Sequence, residues 1–290
     1  MMLLKEILQR AGREHWSTGH FNVSELDHIR AIVEVCSELA APAMIGTSEG
    51  ERTHIGLTQL VALRSAFGHD FPTVPIFLNA DHTKSVENAK KAVDAGYDSI
   101  HIDLSAKLFD ENVAGTKEIV AYARAKDPDI SVEGELGYLK GESKVQHEKI
   151  TVSKDDYTKP EEAEKFVQET GVDRLAIVVG NIHGISLEEP DLDIERIREI
   201  RAIIPESVAI VLHAGSGIPD DQIRAAIEAG IANIHINTDL RVAFIDGLKK
   251  GISDHPDEAA MYKIDAEGVD AMKNILKEKL MLFGSANRIN

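Results

Sequence analysis

The chain has 290 residues, which is room for two average domains but also close to the ~250 that one barrel of eight β/α units needs. With 43% hydrophobic and 28% charged residues it can fill a core, which excludes a disordered or collagen-like chain. Lysine and arginine number 32 against 49 aspartates and glutamates, and the net charge of −17 opposes nucleic acid and anionic lipid surfaces.

A small phosphorylated ligand stays compatible with that charge, because backbone N–H groups, lysine and metal act locally and salt screens the distant field beyond ~10 Å. Residues 1–13 alternate charged and apolar side chains at helical spacing and lack the continuous apolar stretch of a signal peptide. A first strand at 19–23 leads to a helix at 25–39. The only cysteine, Cys36, lies in that helix, so an intrachain disulfide and a cysteine-rich zinc site are both excluded and the thiol reads as a core residue. Strands at 43–47, 74–79, 99–103 and 130–135 alternate with helices at 58–67, 85–95 and 111–125. Residues 139–157 break the alternation: they are polar, rich in lysine and glutamate, and longer than a usual loop, which suits a mobile lid or an exposed insertion. The pattern resumes with helix 160–170, strand 174–179, helix 192–202, strand 208–213, helix 219–229, strand 233–237 and helix 239–252. Two helices end in Ala-Gly, at Ala95-Gly96 and Ala229-Gly230, where glycine takes the left-handed turn. A last helical stretch at 265–283 packs on the barrel or on a second subunit.

Eight β/α units without a dividing linker predict a single-domain (β/α)8 barrel, a TIM barrel, over residues 1–290. An open doubly wound sheet is disfavoured by the missing G-x-G-x-x-G after the first strand. No apolar run approaches the ~18 residues of a membrane span, and a reducing cytoplasm is the expected location.

In such a barrel, function sits where strands end. The third strand ends Asn79-Ala80-Asp81-His82, the fourth His101-Ile102-Asp103, the fifth Glu133-Gly134-Glu135, and the seventh in His213; the sixth leads into Gly180-Asn181-Ile182-His183-Gly184. His82, His183 and His213 thus come from three strand ends on one rim, and three protein ligands with an open position describe a catalytic metal site. His101 and His235 lie inside strands and receive no role. His20 stands alone as Gly19-His20-Phe21-Asn22, without the H-x-H pair of two-metal barrel hydrolases. Asp81 precedes a ligand histidine, and both side chains can face the site only where the strand gives way to loop; a carboxyl there can serve as general acid and base. Asp103 and Glu135 can bind a second cation or hold a ligand histidine from behind. After the seventh strand, Ala214-Gly215-Ser216-Gly217-Ile218-Pro219 offers backbone N–H groups and a helix start, and Asn237-Thr238-Asp239 does the same after the eighth, where barrels often bind phosphate.

At these residues the chain resembles the class II, metal-dependent ketose-bisphosphate aldolases, over nearly its whole length. The most specific pieces are Asn79-Ala80-Asp81-His82, Val132-Glu133-Gly134-Glu135-Leu136-Gly137, His183-Gly184 and His213-Ala214-Gly215-Ser216-Gly217. The resemblance implies a zinc ion held by His82, His183 and His213, and Asp81 as the group moving the proton of the C4 hydroxyl. It implies Asp103 and Glu135 at an alternative or second cation site, divalent or monovalent. Gly184, Gly215, Ser216, Gly217, Asn237, Thr238 and Asp239 match positions that hold the phosphate of dihydroxyacetone phosphate. Retro-aldol cleavage leaves an enediolate whose charge a divalent ion can stabilise, so no Schiff-base lysine is required.

The departures lie in the substrate shell. Ala214-Gly215 stands for two glycines, Ile185-Ser186-Leu187 for a region with Tyr-Lys, and His235 for asparagine; Lys140-Gly141-Glu142-Ser143 replaces Gly-Gly and acidic residues, and no Asp-Pro-Arg is found near 257–263. The expected activity is cleavage of fructose 1,6-bisphosphate, then of tagatose 1,6-bisphosphate or a related phosphorylated ketose, by a homodimer or homotetramer. A metal-dependent hydrolase or isomerase and a catalytically silent sugar-phosphate binder are the other readings.

Overall fold

The computed structural model describes residues 2–137, 139–146, 153–185 and 191–289. In chain order the first half runs α1 (Leu4–Arg13), β1 (Thr18–Asn22), α2 (Leu26–Glu38), β2 (Ala43–Thr47), α3 (Glu49–Ile55), α4 (Leu57–Asp70), β3 (Ile76–Thr83), α5 (Val86–Ala95), β4 (Ser99–Ile102), α6 (Phe109–Lys126) and β5 (Ser131–Leu136). The second half runs β6 (Gly141–Val145), a 3-10 turn (Lys154–Asp156), α7 (Pro160–Thr170), β7 (Arg174–Ile177), β8 (His183–Ile185), α8 (Ile194–Ile203), β9 (Ala209–Leu212), α9 (Asp220–Glu228), β10 (Ile231–Ile236), α10 (Thr238–Asp254), α11 (Met261–Ile264) and α12 (Ala266–Leu282).

Eight of these strands close a parallel barrel in the order β1-β10-β9-β7-β5-β4-β3-β2, as the alternation of strand and helix predicts. Parallel strands need crossovers, and amphipathic helices supply them while covering the outer face of the sheet. The main core lies between strands and helices. Cys36 belongs to it, with burial pushing its thiol up to about 12, so the core assignment of this residue holds. A smaller apolar cluster fills the N-terminal mouth: Leu4, Ile7, Leu8 and Ala11 of α1, with Trp16, pack on Met44, Phe77, Ala209 and Ala232, which are first or second residues of their strands. The helix therefore stoppers one end of the barrel and leaves the other open. Among the described residues no helix is long and apolar enough to cross a membrane.

Three departures from the sequence reading matter for the site. A short helix, α3, follows β2; its Ser48-x-x-Glu51 capping box was present in the sequence, but the segment is too short and too charged to show helical periodicity. β3 continues to Thr83, past the expected end at 79. Within the polar segment 139–157, β6 pairs in parallel with β8 in a small second sheet, and residues 147–152 of the expected lid lie outside the described residues. The C-terminal α12 packs on α10 and α2 of its own barrel.

Candidate active site

The open end of the barrel holds a cavity of about 190 Å³ whose wall includes Asn22, Asp81, His82, His183, His213 and His235. Strict alternation along β3 would turn Asp81 and His82 to opposite faces. The pairing of β3 with β4 shifts register between Ala80 and Thr83, and His82 sits in the left-handed region at φ +41°. This bulge, not a transition to loop, brings both side chains to the cavity. Ala214 has φ +57° directly after His213, where a left-handed turn carries the chain from β9 toward α9.

His82 Nε2 lies 3.2 Å from His183 Nε2 and 3.1 Å from His213 Nδ1. A tetrahedral zinc with ligand bonds of 2.0–2.1 Å has ligand–ligand edges of about 3.3 Å, so both separations suit one ion. Two of the rings are fixed from behind. His82 Nδ1 lies 2.7 Å from Asp103 Oδ2, and His213 Nε2 lies 2.7 Å from Glu133 Oε1, so each carboxylate takes the ring N–H and leaves the other nitrogen's lone pair for a cation. Burial, together with the neighbouring His82, pushes His183 down to about 3, and the same two influences hold His213 well below the usual histidine range. Burial works against a charge on His82 as well, but Asp81 and the Asp103 hydrogen bond outweigh it and raise that ring. A cation bound at His82 Nε2 takes the place of any proton there. Asp81, His82, His101 and His213 offer ligand atoms all within 4.8 Å of one another, and His183 adds a nitrogen beside His82, so this donor set fits a divalent metal.

Behind His82, His183 and His213 the barrel interior is polar. His101 Nδ1 accepts the backbone N–H of His82 at 3.1 Å, and its Nε2 lies 3.1 Å from Glu135 Oε2. His82, His101, Asp103 and Glu135 present ligand atoms all within 4.8 Å of one another, so Asp103 and Glu135 stand in one cluster with two histidines. Lys84 also pairs with Asp103. Deeper still, the fully buried Arg174 lies 2.7 Å from Glu133 Oε2 and donates to Asn79 Oδ1 at 3.1 Å.

Glu133 thus carries two jobs, one on each oxygen. In Glu133→Gln the amide must turn its NH2 group toward Arg174 or toward His213, donor against donor. Metal affinity measured by competition with a chromogenic chelator is expected to fall about 10–100-fold. Wild-type affinity in that variant would show that His213 is oriented by something else.

Asp81 faces three groups: Oδ2 accepts from Asn22 Nδ2 at 3.1 Å, and Oδ1 lies 3.5 Å from His101 Nδ1 and 3.4 Å from His235 Nδ1. Burial alone would raise its pKa, yet the surrounding His82, His101 and His235 hold it well below the usual carboxylate range. Of the residues matched to phosphate binding, Gly184, Ser216, Asn237 and Thr238 line the cavity. Gly215, Gly217 and Asp239 stand off its wall. The Gly215 N–H donates to His235 O at 2.9 Å, and a Cβ at Gly215 would lie 2.6 Å from Ile234, so close packing on β10 accounts for this glycine. Asp239 keeps its carboxylate 3.2 Å from Lys279 Nζ, while its N–H and that of Asn237 donate to Ser216 Oγ at 3.2 and 3.3 Å. Ser186 and Leu187, like His147, lie outside the described residues.

Sequence reasoning gave no role to His101, His235, Asn22, Glu133 or Arg174, which all take part in this network. A signal was there. Polar residues occur two apart in five strands, as His20 and Asn22, Asn79 and Asp81, Ser99 and His101, Glu133 and Glu135, and Asn233 and His235. That spacing points them to one face of each strand, here the inside of the barrel.

The chain matches the family model for fructose-bisphosphate aldolase class-II over residues 2–288. Its solved structural relatives include the YdjI aldolase of Escherichia coli K12, 30% identical, with 99% of this chain and 98% of that one covered at a TM-score of 0.84. A protein of Coccidioides immitis provisionally named a fructose-1,6-biphosphate aldolase is 27% identical, with 98% and 96% covered at 0.83. The fructose-bisphosphate aldolase of Campylobacter jejuni, 20% identical with 98% and 95% covered, shares the fold at 0.77. With its closed barrel, its rim of histidines and this match along almost every residue, the chain belongs to the class II fructose-bisphosphate aldolases, a family of metal-dependent lyases acting on phosphorylated sugars.

Proposed function

We propose that the protein is a zinc-dependent aldolase that cleaves fructose 1,6-bisphosphate reversibly to dihydroxyacetone phosphate and glyceraldehyde 3-phosphate. The observation that carries this reading is that His82 Nε2 lies within 3.2 Å of a ring nitrogen of both His183 and His213, on the wall of a cavity that Asp81 also lines. When bound there, a divalent ion supplies electrophilic stabilisation of the negative charge that develops on the ketose oxygens. Asp81 takes the proton from the C4 hydroxyl as the C3–C4 bond breaks and returns it in the aldol direction. Gly184 and Ser216, together with Asn237 and Thr238 at the start of α10, hold the C1 phosphate with backbone N–H groups and hydroxyls. Glu133 and Asp103 keep two of the metal-binding rings in the right tautomer. Among the described residues no lysine lines the cavity, which fits a reaction that needs no imine.

A second reading, tagatose 1,6-bisphosphate or another phosphorylated ketose, is favoured by His235 and Ala214, which replace the family's usual asparagine and glycine on the cavity wall. A coupled assay of the zinc-loaded protein on fructose and tagatose bisphosphates and on ketose 1-phosphates separates the two. Fructose 1,6-bisphosphate is expected to give the highest kcat/KM. A tenfold preference for another ketose reassigns the substrate, and no cleavage of any of them moves the protein to a hydrolase, an isomerase or a silent binder.

A further inference from the structure

The first turn of α3 is tied to the cavity through Glu51, which is only 6% exposed. Glu51 Oε2 accepts from Asn22 Nδ2 at 3.0 Å and from the Ser48 N–H at 2.7 Å, while Oε1 accepts from Arg241 Nη2 at 2.5 Å. Arg241 Nη1 in turn donates to the Ser143 carbonyl of β6 at 3.3 Å. Asn22 Nδ2 also donates to Asp81 Oδ2 at 3.1 Å. One hydrogen-bonded chain therefore runs from Ser143 through Arg241, Glu51 and Asn22 to Asp81. Its direction is forced at Asn22, because both neighbours are carboxylates and only the NH2 end of the amide can serve two acceptors. The next residue of the same turn, Arg52, braces the backbone here, donating to Asp81 O at 3.2 Å and to Thr83 Oγ1 at 3.1 Å.

We propose that Glu51 is a positioning residue for aldol cleavage: it aims the Asn22 donor at Asp81 and, through Arg241, holds β6 against the cavity. The inference rests on Asp81 being the group that moves the C4 hydroxyl proton. Every oxygen site of Glu51 accepts, so a glutamine in its place sets NH2 against a donor on one side or the other. Turned toward Asn22, it flips that amide and presents Oδ1 to Asp81, acceptor against acceptor. Turned toward Arg241, it releases the guanidinium and with it the Ser143 carbonyl. Either way the tie between β6 and Asp81 is broken.

Glu51→Gln in the zinc-loaded protein is expected to lower kcat for ketose bisphosphate cleavage about 10–100-fold, with KM and bound zinc within about threefold of wild type. In an Asp81→Ala background the same change is expected to add less than about twofold, because its effect passes through Asp81. Trypsin supplies a readout independent of catalysis: cutting after the exposed Lys144 of β6 is expected to quicken several-fold in Glu51→Gln and in Arg241→Met, and to return toward wild type in Arg241→Lys, which keeps a cationic donor. Wild-type kcat in Glu51→Gln, a full multiplicative loss on top of Asp81→Ala, or unchanged cutting at Lys144 overturns the proposal. The wild-type protein in the same assay guards the underlying reading: if it cleaves no ketose phosphate, aldol chemistry fails there, and the trypsin comparison still decides whether Glu51 ties Arg241 and β6 together.

Discussion

Asp81→Ala is expected to bind zinc as the wild type does and to lose turnover by about 10²–10⁴-fold, the range that a positioned general base contributes. The two halves of this expectation come from different contacts. The metal-facing nitrogens are set by Asp103 behind His82 and by Glu133 behind His213, and neither bond involves Asp81. Asp81 instead spends its oxygens on Asn22 and on the neighbourhood of His101 and His235, within the cavity where a substrate hydroxyl would lie. On the proposed mechanism, removing it deletes the proton acceptor and leaves the Asp103–His82 and Glu133–His213 contacts standing. Bound zinc measured by atomic absorption, with kcat from a coupled assay, checks both halves. Unchanged turnover would mean another group moves the proton, and lost zinc would mean that Asp81 also shapes the metal centre.

His82→Ala is expected to lose both zinc and activity, and exhaustive chelation of the wild type is expected to abolish cleavage until zinc is restored. His82 Nε2 is the atom within 3.2 Å of both partner nitrogens, so its ring joins the other two into one site. Two remaining imidazoles fall short of the three protein ligands that hold a catalytic zinc. Borohydride added during turnover should trap no lysine adduct, as expected of a wall without lysine among the described residues. Cleavage that survives chelation, or a trapped adduct, would replace the metal mechanism with an imine mechanism.

Much of this architecture could be read from the residues alone. Eight apolar runs separated by amphipathic helices are a long-range regularity, and regularity of that kind survives errors of one or two residues at each element end. The three rim histidines stood out because His82 lies next to the end of β3, His213 directly follows β9, and His183 falls in the stretch after β7. What stayed hidden has a common cause. His101, Glu133 and Arg174 lie within strands, where an interior side chain is expected to be apolar, and their pairing depends on barrel register that no local pattern reports. Glu51 and Arg241 are farther still from legibility, since 190 positions separate the two ends of that ion pair. The bulge that brings Asp81 and His82 to the same cavity is likewise a property of β3 against β4 and not of either strand alone.

The stopper formed by α1 and Trp16 closes the N-terminal mouth with apolar side chains, and the polar groups above it face the cavity at the other end. Of the buried polar groups inside the barrel, Asn22, Asp81, His213 and His235 line the cavity at the open end. A ligand seated in that cavity would cover this acid and these imidazoles together, and a proton it gave up would meet them first.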